Sequence, residues 1–70
     1  MNVINIYWIE EWKSWQVIRP YADEGEYFHY KNEALNSAKE QEPNFIRVHD
    51  KENNLLYVLE RKYEKFVKIN

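Results

Sequence analysis

His29, His49 and Asp50 are the residues of this 70-residue chain best suited to hold a metal ion, since two imidazoles and a carboxylate can ligate zinc. They come from different elements, however, and lack the short spacing that sets two ligands on one face. With no cysteine, the chain has no thiolate nucleophile, no thiolate metal site and no disulfide. Ser14 and Ser37 stand outside any strand–turn–helix elbow that would present a nucleophile. The adjacent carboxylates Glu10 and Glu11 alternate across a strand or lie in a turn, so they need not converge. A single glycine, Gly25, rules out a phosphate-cradling loop. We therefore expect no catalytic residue, no metal and no cofactor. The chain reads as a binding protein rather than an enzyme.

Binding chemistry is better supplied. Twelve aromatic residues in seventy exceed what one helix can cover, and Trp12, Tyr7, Tyr21 and Tyr57 are the surplus ones. Tryptophan and tyrosine are enriched where interfaces concentrate their energy. Trp12 follows directly on Glu10 and Glu11, which join it as candidate contacts to a protein partner. An unpaired edge strand offers a further route, by strand addition to a partner or to a second copy in a homodimer. The formal charge is −2 but unevenly spread. Residues 1–60 carry eleven acids and six bases, whereas the last ten carry Arg61, Lys62, Lys65 and Lys68 against Glu64. Those four bases, with Arg19 and Arg47, define the alternative of a nucleic-acid-binding module. Phosphate contacts dominate such affinity, and the acidic body opposes them.

The acids fall into separate clusters: Glu10-Glu11, Asp23-Glu24 with Glu26, Glu40 with Glu42, and Asp50 with Glu52. Solvated turns and helix faces account for them. Spaced carboxylates can also imitate a row of phosphates, as in the small proteins that phages and mobile elements use to inhibit a host protein. The opening residues 1–5 lack the basic and continuously apolar regions of a signal peptide. No apolar run approaches the roughly 18 residues of a membrane span. The expectation is a cytoplasmic protein that does not engage a membrane.

The elements that must position these side chains follow from periodicity. Val3 to Ile9 is rich in β-branched and aromatic residues and reads as a strand, with Ile4, Ile6 and Trp8 on one face. Glu10 to Lys13 is a hairpin connection, and Ser14 to about Arg19 is the second strand, ended by Pro20. Asp23-Glu24-Gly25 is a turn in which Gly25 supplies a positive φ. Tyr27 to His29 forms a short third strand. Ala34, Leu35 and Ala38 make a narrow apolar stripe on a helix from about Lys31 to Gln41, halted by Pro43. Asn32 is the good capping type, but the register puts the N-cap at His29 or Tyr30. Phe45 to His49 is a strand, and Leu55 to Leu59, the most apolar run, is the expected central strand.

The expected fold is α+β: a four- to five-stranded antiparallel sheet with one helix on one face, in ββ(β)αββ order. It occupies residues 1–62 as a single domain, with 63–70 a basic tail, a strand extension or a helical turn. Ile4, Ile6, Trp15, Val17, Phe28, Ala34, Leu35, Ala38, Ile46, Val48, Leu56 and Val58 should form the core. So short a chain buries only about 60% of its unfolded surface.

Three short motifs carry a family resemblance: Trp15-Gln16-Val17, the stretch Phe28-His29-Tyr30-Lys31-Asn32-Glu33-Ala34, and Val48-His49-Asp50-Lys51. Over roughly residues 3–60 the chain resembles a small bacterial family of uncharacterised proteins, about 60–75 residues long. That resemblance implies a ββαββ sheet-and-helix fold and no activity. The chain departs from the family at Tyr30, in place of a capping Thr or Ser, at Asn53-Asn54, in place of Asp-Gly, and in its tail after Arg61. The order of the first two motifs is also similar to the arm-binding domains at the N-termini of integrases. Those grip DNA through their sheet and are usually basic, which the matching region here is not.

Overall fold

The computed structural model describes residues 2–20, 22 and 25–70. The strands are β1 (Val3–Ile9), β2 (Ser14–Ile18), β3 (Glu26–Phe28), β4 (Phe45–His49), β5 (Leu55–Lys62) and β6 (Lys65–Lys68), with helix α1 (Lys31–Glu40) between β3 and β4. They form one six-stranded sheet in the order β3-β2-β1-β4-β5-β6. The α+β class and the single helix are as the periodicity predicts, but the sheet is mixed and one strand larger than the expected maximum. The pair β1–β4 is parallel, with Ile4 beside Ile46 and Ile6 beside Val48, while the other four pairs are antiparallel. A parallel pair needs a long crossover. Here β2, β3 and α1 together supply it, bringing the chain back to the free edge of β1. Alternation along a strand carries no direction, so the sequence could not show this.

The helix-side layer is packed from three strands. Ile4, Ile6 and Trp8 of β1, Trp15 and Val17 of β2, and Ile46 and Val48 of β4 are buried with Ala34 and Ala38 of the helix. The two alanines are fully enclosed and let α1 lie close on the sheet, where it packs on β2, β3 and β1. Trp8 and Trp15 meet edge to face, with ring centroids 5.1 Å apart. The helix starts at Tyr30, whose extended backbone makes it the N-cap without any side-chain cap. It ends at Gln41, after which Glu42 adopts a left-handed φ of 51° and Pro43 is buried. Such a left-handed residue just past the last turn is a common helix terminator.

Three expectations are corrected. Leu56 and Val58 are not core: the regular register of β4 with β5 sets Tyr57 opposite Val48 and Leu59 opposite Ile46, so Tyr57 and Leu59 face the helix side, and a bulge beyond Val48 skips Leu56 to bring Leu55 opposite His49. Leu55–Lys62 is next to the sheet edge, and β1 and β4 are the central pair. Gly25 has no positive φ. A Cβ there would lie 2.6 Å from the Val17 carbonyl oxygen and 2.8 Å from Cγ of Gln16, so the constraint is close approach to β2. Asp23 and Glu24 of that turn lie outside the described residues. Lys65–Lys68 pairs with β5, which gives the tail its strand form. Among the described residues, no helix is long and apolar enough to cross a membrane.

Candidate interaction surfaces

The side of the sheet away from α1 has no element across it among the described residues. Register sets three rows of side chains there. Tyr27, Gln16, Tyr7 and His49 form the first, Ile18, Asn5, Arg47 and Val58 the second, and Val3, Phe45, Glu60 and Val67 the third. The first row is tied together laterally. Gln16 Nε2 donates to Tyr27 Oη at 2.8 Å, and Tyr7 stacks on His49 at 4.2 Å between centroids. The His49 ring donates Nδ1–H to the Ile6 carbonyl at 3.0 Å, which fixes its tautomer and orientation. Trp12, 58% exposed, stands over the end of this row with its ring edge-on to Tyr27 at 4.8 Å.

Trp12 is held there by its own loop. Glu10–Trp12 is one 3-10 turn, closed by Lys13 in a left-handed conformation. Ser14 Oγ donates to the Trp12 carbonyl at 2.8 Å, and Glu10 accepts from Trp8 Nε1 and from Lys13 Nζ. In the second row, Asn5 Oδ1 is buried without a hydrogen-bond partner among the described residues. Its ladder neighbour Arg47 is exposed and has no ion pair among them.

A second surface lies beside α1, over β5 and β6. Tyr57, Leu59 and Phe66 are only partly covered and pack against the edge of the core with Leu35. Lys31 Nζ, from the first turn of α1, sits 5.4 Å from the Trp15 ring and 5.5 Å from the Tyr57 ring. Lys68 Nζ sits 5.3 Å from the Tyr57 ring, and Lys51 Nζ 4.4 Å from that of Trp8. None of these three lysines has a carboxylate partner among the described residues. Burial pushes the Tyr57 phenol above its ordinary value.

The structure thus divides the residues singled out from sequence. Tyr7 and Trp12 share the open face, Glu10 and Glu11 occupy the turn that carries Trp12, and Tyr57 is on the helix side. Tyr21 lies outside the described residues. The four C-terminal bases split by strand alternation: Arg61 and Lys68 face the helix side, and Lys62 and Lys65 the open face. Arg61 lies 4.0 Å from Glu42, and Lys62 lies 3.7 Å from Glu60. Among the described residues no three His, Asp or Glu side chains gather to hold a metal. Sequence reasoning did not single out Lys31 or Lys51. Their partners are brought near by the helix crossover and the β4–β5 turn, which no local spacing reveals. Compared with protein-family models, with curated proteins and with solved structures, the chain matches none.

Proposed function

We propose that this protein is a non-catalytic protein-interaction module whose open sheet face is the interface, and that a second copy of the chain is its partner there. One observation carries the reading: Val3, Ile18, Phe45, Val58 and Val67 share that face with Tyr7, Tyr27 and Trp12, and nothing among the described residues covers them. A patch of this kind marks a protein contact. Its apolar and aromatic groups flank a polar centre of Asn5 and Arg47 on the two middle strands, with further charges at Glu60, Lys62 and Lys65 toward one edge.

The charges favour self-association. Arg47 and Glu60 are diagonal neighbours across β4 and β5 on the same face. A two-fold axis beside them sets Arg47 of each copy against Glu60 of the other, in addition to the Lys62 that Glu60 already meets within its own chain, the reciprocal pairing that an isologous contact requires. Six strands spaced about 4.8 Å apart give a face of several hundred Å², the scale of the roughly 800 Å² per partner in a standard interface. The nucleic-acid reading has less to support it, because the basic tail is divided between two faces and two of its four charges already meet carboxylates. The phosphate-mimic reading likewise draws on acids that sit on separate elements.

Light scattering on the eluting protein tests the proposal. The wild type should run at twice its 8.7 kDa chain mass at tens of micromolar. Ile18→Asp, which sets a charge in the middle of the face, and Trp12→Ala should both shift it toward the monomer with far-ultraviolet circular dichroism unchanged. A wild type that is monomeric throughout the micromolar range removes the second copy as the occupant.

A further inference from the structure

We infer that the helix-side face over β5 and β6 is an open berth for an acidic amphipathic helix from a protein partner, lying alongside α1. The geometry of the layer is the first argument. A helix with its side chains is about 10–12 Å across, and strands are about 4.8 Å apart, so one helix covers two or three strands. Helix α1 packs on β1, β2 and β3. The helix side of β4 is already covered, since Ile46 and Val48 are fully buried there. Strands β5 and β6 leave a strip about 10 Å across, one helix wide, with no element over it among the described residues.

The floor and rims of the strip state what fits. Leu59 and Phe66 form the floor, and each stays partly exposed although it packs against the core. Leu35 of α1 forms one wall, so an apolar stripe can be buried between α1 and β6. Around this floor Lys31 and Lys68 have no carboxylate partner among the described residues, while Arg61 on the same side is matched by Glu42. Both lysines lie within 5.5 Å of the Tyr57 ring. Lysines with no anion beside them rest on aromatic faces, an attraction that an incoming carboxylate can replace. Apolar floor and basic rim together select a helix with leucines on one side and glutamates flanking them.

Nucleic acid fits less well. Trp8 and Trp15 are more than nine-tenths buried, so neither has a ring face free for base stacking, which leaves Tyr57 as the one tyrosine at the strip. The open face described above is on the other side of the sheet, so this berth stands whether or not the chain dimerises.

The test uses the full chain labelled with ¹⁵N and three probes. These are a designed four-turn helical peptide with a leucine stripe flanked by glutamates, the same peptide with lysine for each glutamate, and a thymidine oligonucleotide. The glutamate peptide should shift the amide resonances of Leu35, Tyr57, Leu59 and Phe66 in saturable fashion. The double variant Lys31→Glu/Lys68→Glu should weaken it by about tenfold, the scale expected for reversing two rim charges. The lysine peptide should leave the wild type unchanged and bind the double variant. Saturation by the lysine peptide, shifts confined to the open face, or no saturation by the glutamate peptide at millimolar concentration would each overturn the inference. Binding of the oligonucleotide through Lys31 and Lys68 in preference to the peptide would reassign the site to nucleic acid.

Discussion

Replacing Leu59 by alanine should cost this protein far more than replacing Leu56, although both belong to the same apolar run. Leu59 lies opposite the fully buried Ile46 and packs against the core, whereas Leu56 is 47% exposed. Truncating a fully buried leucine costs about 2–5 kcal/mol. Leu59 sits at the rim of the core, so about 2 kcal/mol is expected. In a domain of this size each kcal/mol moves the thermal midpoint by about 4–8 °C, which gives a fall of roughly 8–16 °C. Leu56→Ala removes atoms already half in water and should cost less than about 1 kcal/mol. A 70-residue core supplies only about 3–5 kcal/mol in all, so the two variants should separate clearly in thermal and urea melts followed by circular dichroism. An unchanged urea slope would show that both still unfold as one unit. If Leu56→Ala lost as much as Leu59→Ala, the pairing of Leu59 with Ile46 would be misplaced and the whole assignment of β5 faces with it.

Gly25→Ala should destabilise by about 1–3 kcal/mol, the range for forcing extra atoms into a packed site. The added Cβ would meet a β2 backbone oxygen that cannot move without disturbing β2 pairing. An unchanged urea midpoint would count against the close approach. Tyr63→Gly should stabilise by about 1 kcal/mol, because Tyr63 holds a left-handed φ of 61° at the tip of the β5–β6 hairpin, where an L side chain is disfavoured and glycine is not. Tyr63 is 98% exposed, so the change removes no packing, and a lower thermal midpoint would refute the reasoning. Asp50 organises the β4–β5 turn by accepting the backbone N–H groups of Asn54 and Glu52 at 2.9 and 2.8 Å. Those bonds, that from Asn54 foremost, hold its carboxyl below the ordinary carboxylate range. A depressed native value means that the contribution is complete at neutral pH and is lost as the pH falls from about 4 through the native value. Asp50→Ala should therefore lower the midpoint at pH 7 and converge with the wild type in stronger acid. A difference between the two that does not change with pH would exclude the mechanism.

Much of the local structure was determined by the sequence alone. The β-branched and aromatic run from Val3 to Ile9, the alanine stripe of α1, Pro43 after the helix and the polar turn after Asp50 each specify their element through short-range sterics and periodicity. The same signals identify Ile4, Ile6, Trp15, Val17, Ile46 and Val48 as core and Trp12 as exposed. What alternation could not decide is which partner and which direction a strand takes. Parallel pairing of β1 with β4 depends on a crossover far longer than any local window. The run from Leu55 to Leu59 is apolar at every position, so its pattern does not say which side faces inward; its register against Ile46 and Val48 does. The candidate surfaces divide in the same way. Tyr7 and Trp12 could be singled out as surplus aromatics. Their joining with Tyr27 and His49, the splitting of the C-terminal bases between two faces, and the gathering of Lys31 and Lys68 around Tyr57 were decided by tertiary structure alone. Residues far apart in the chain acquire a common surface only when sheet order and register are set.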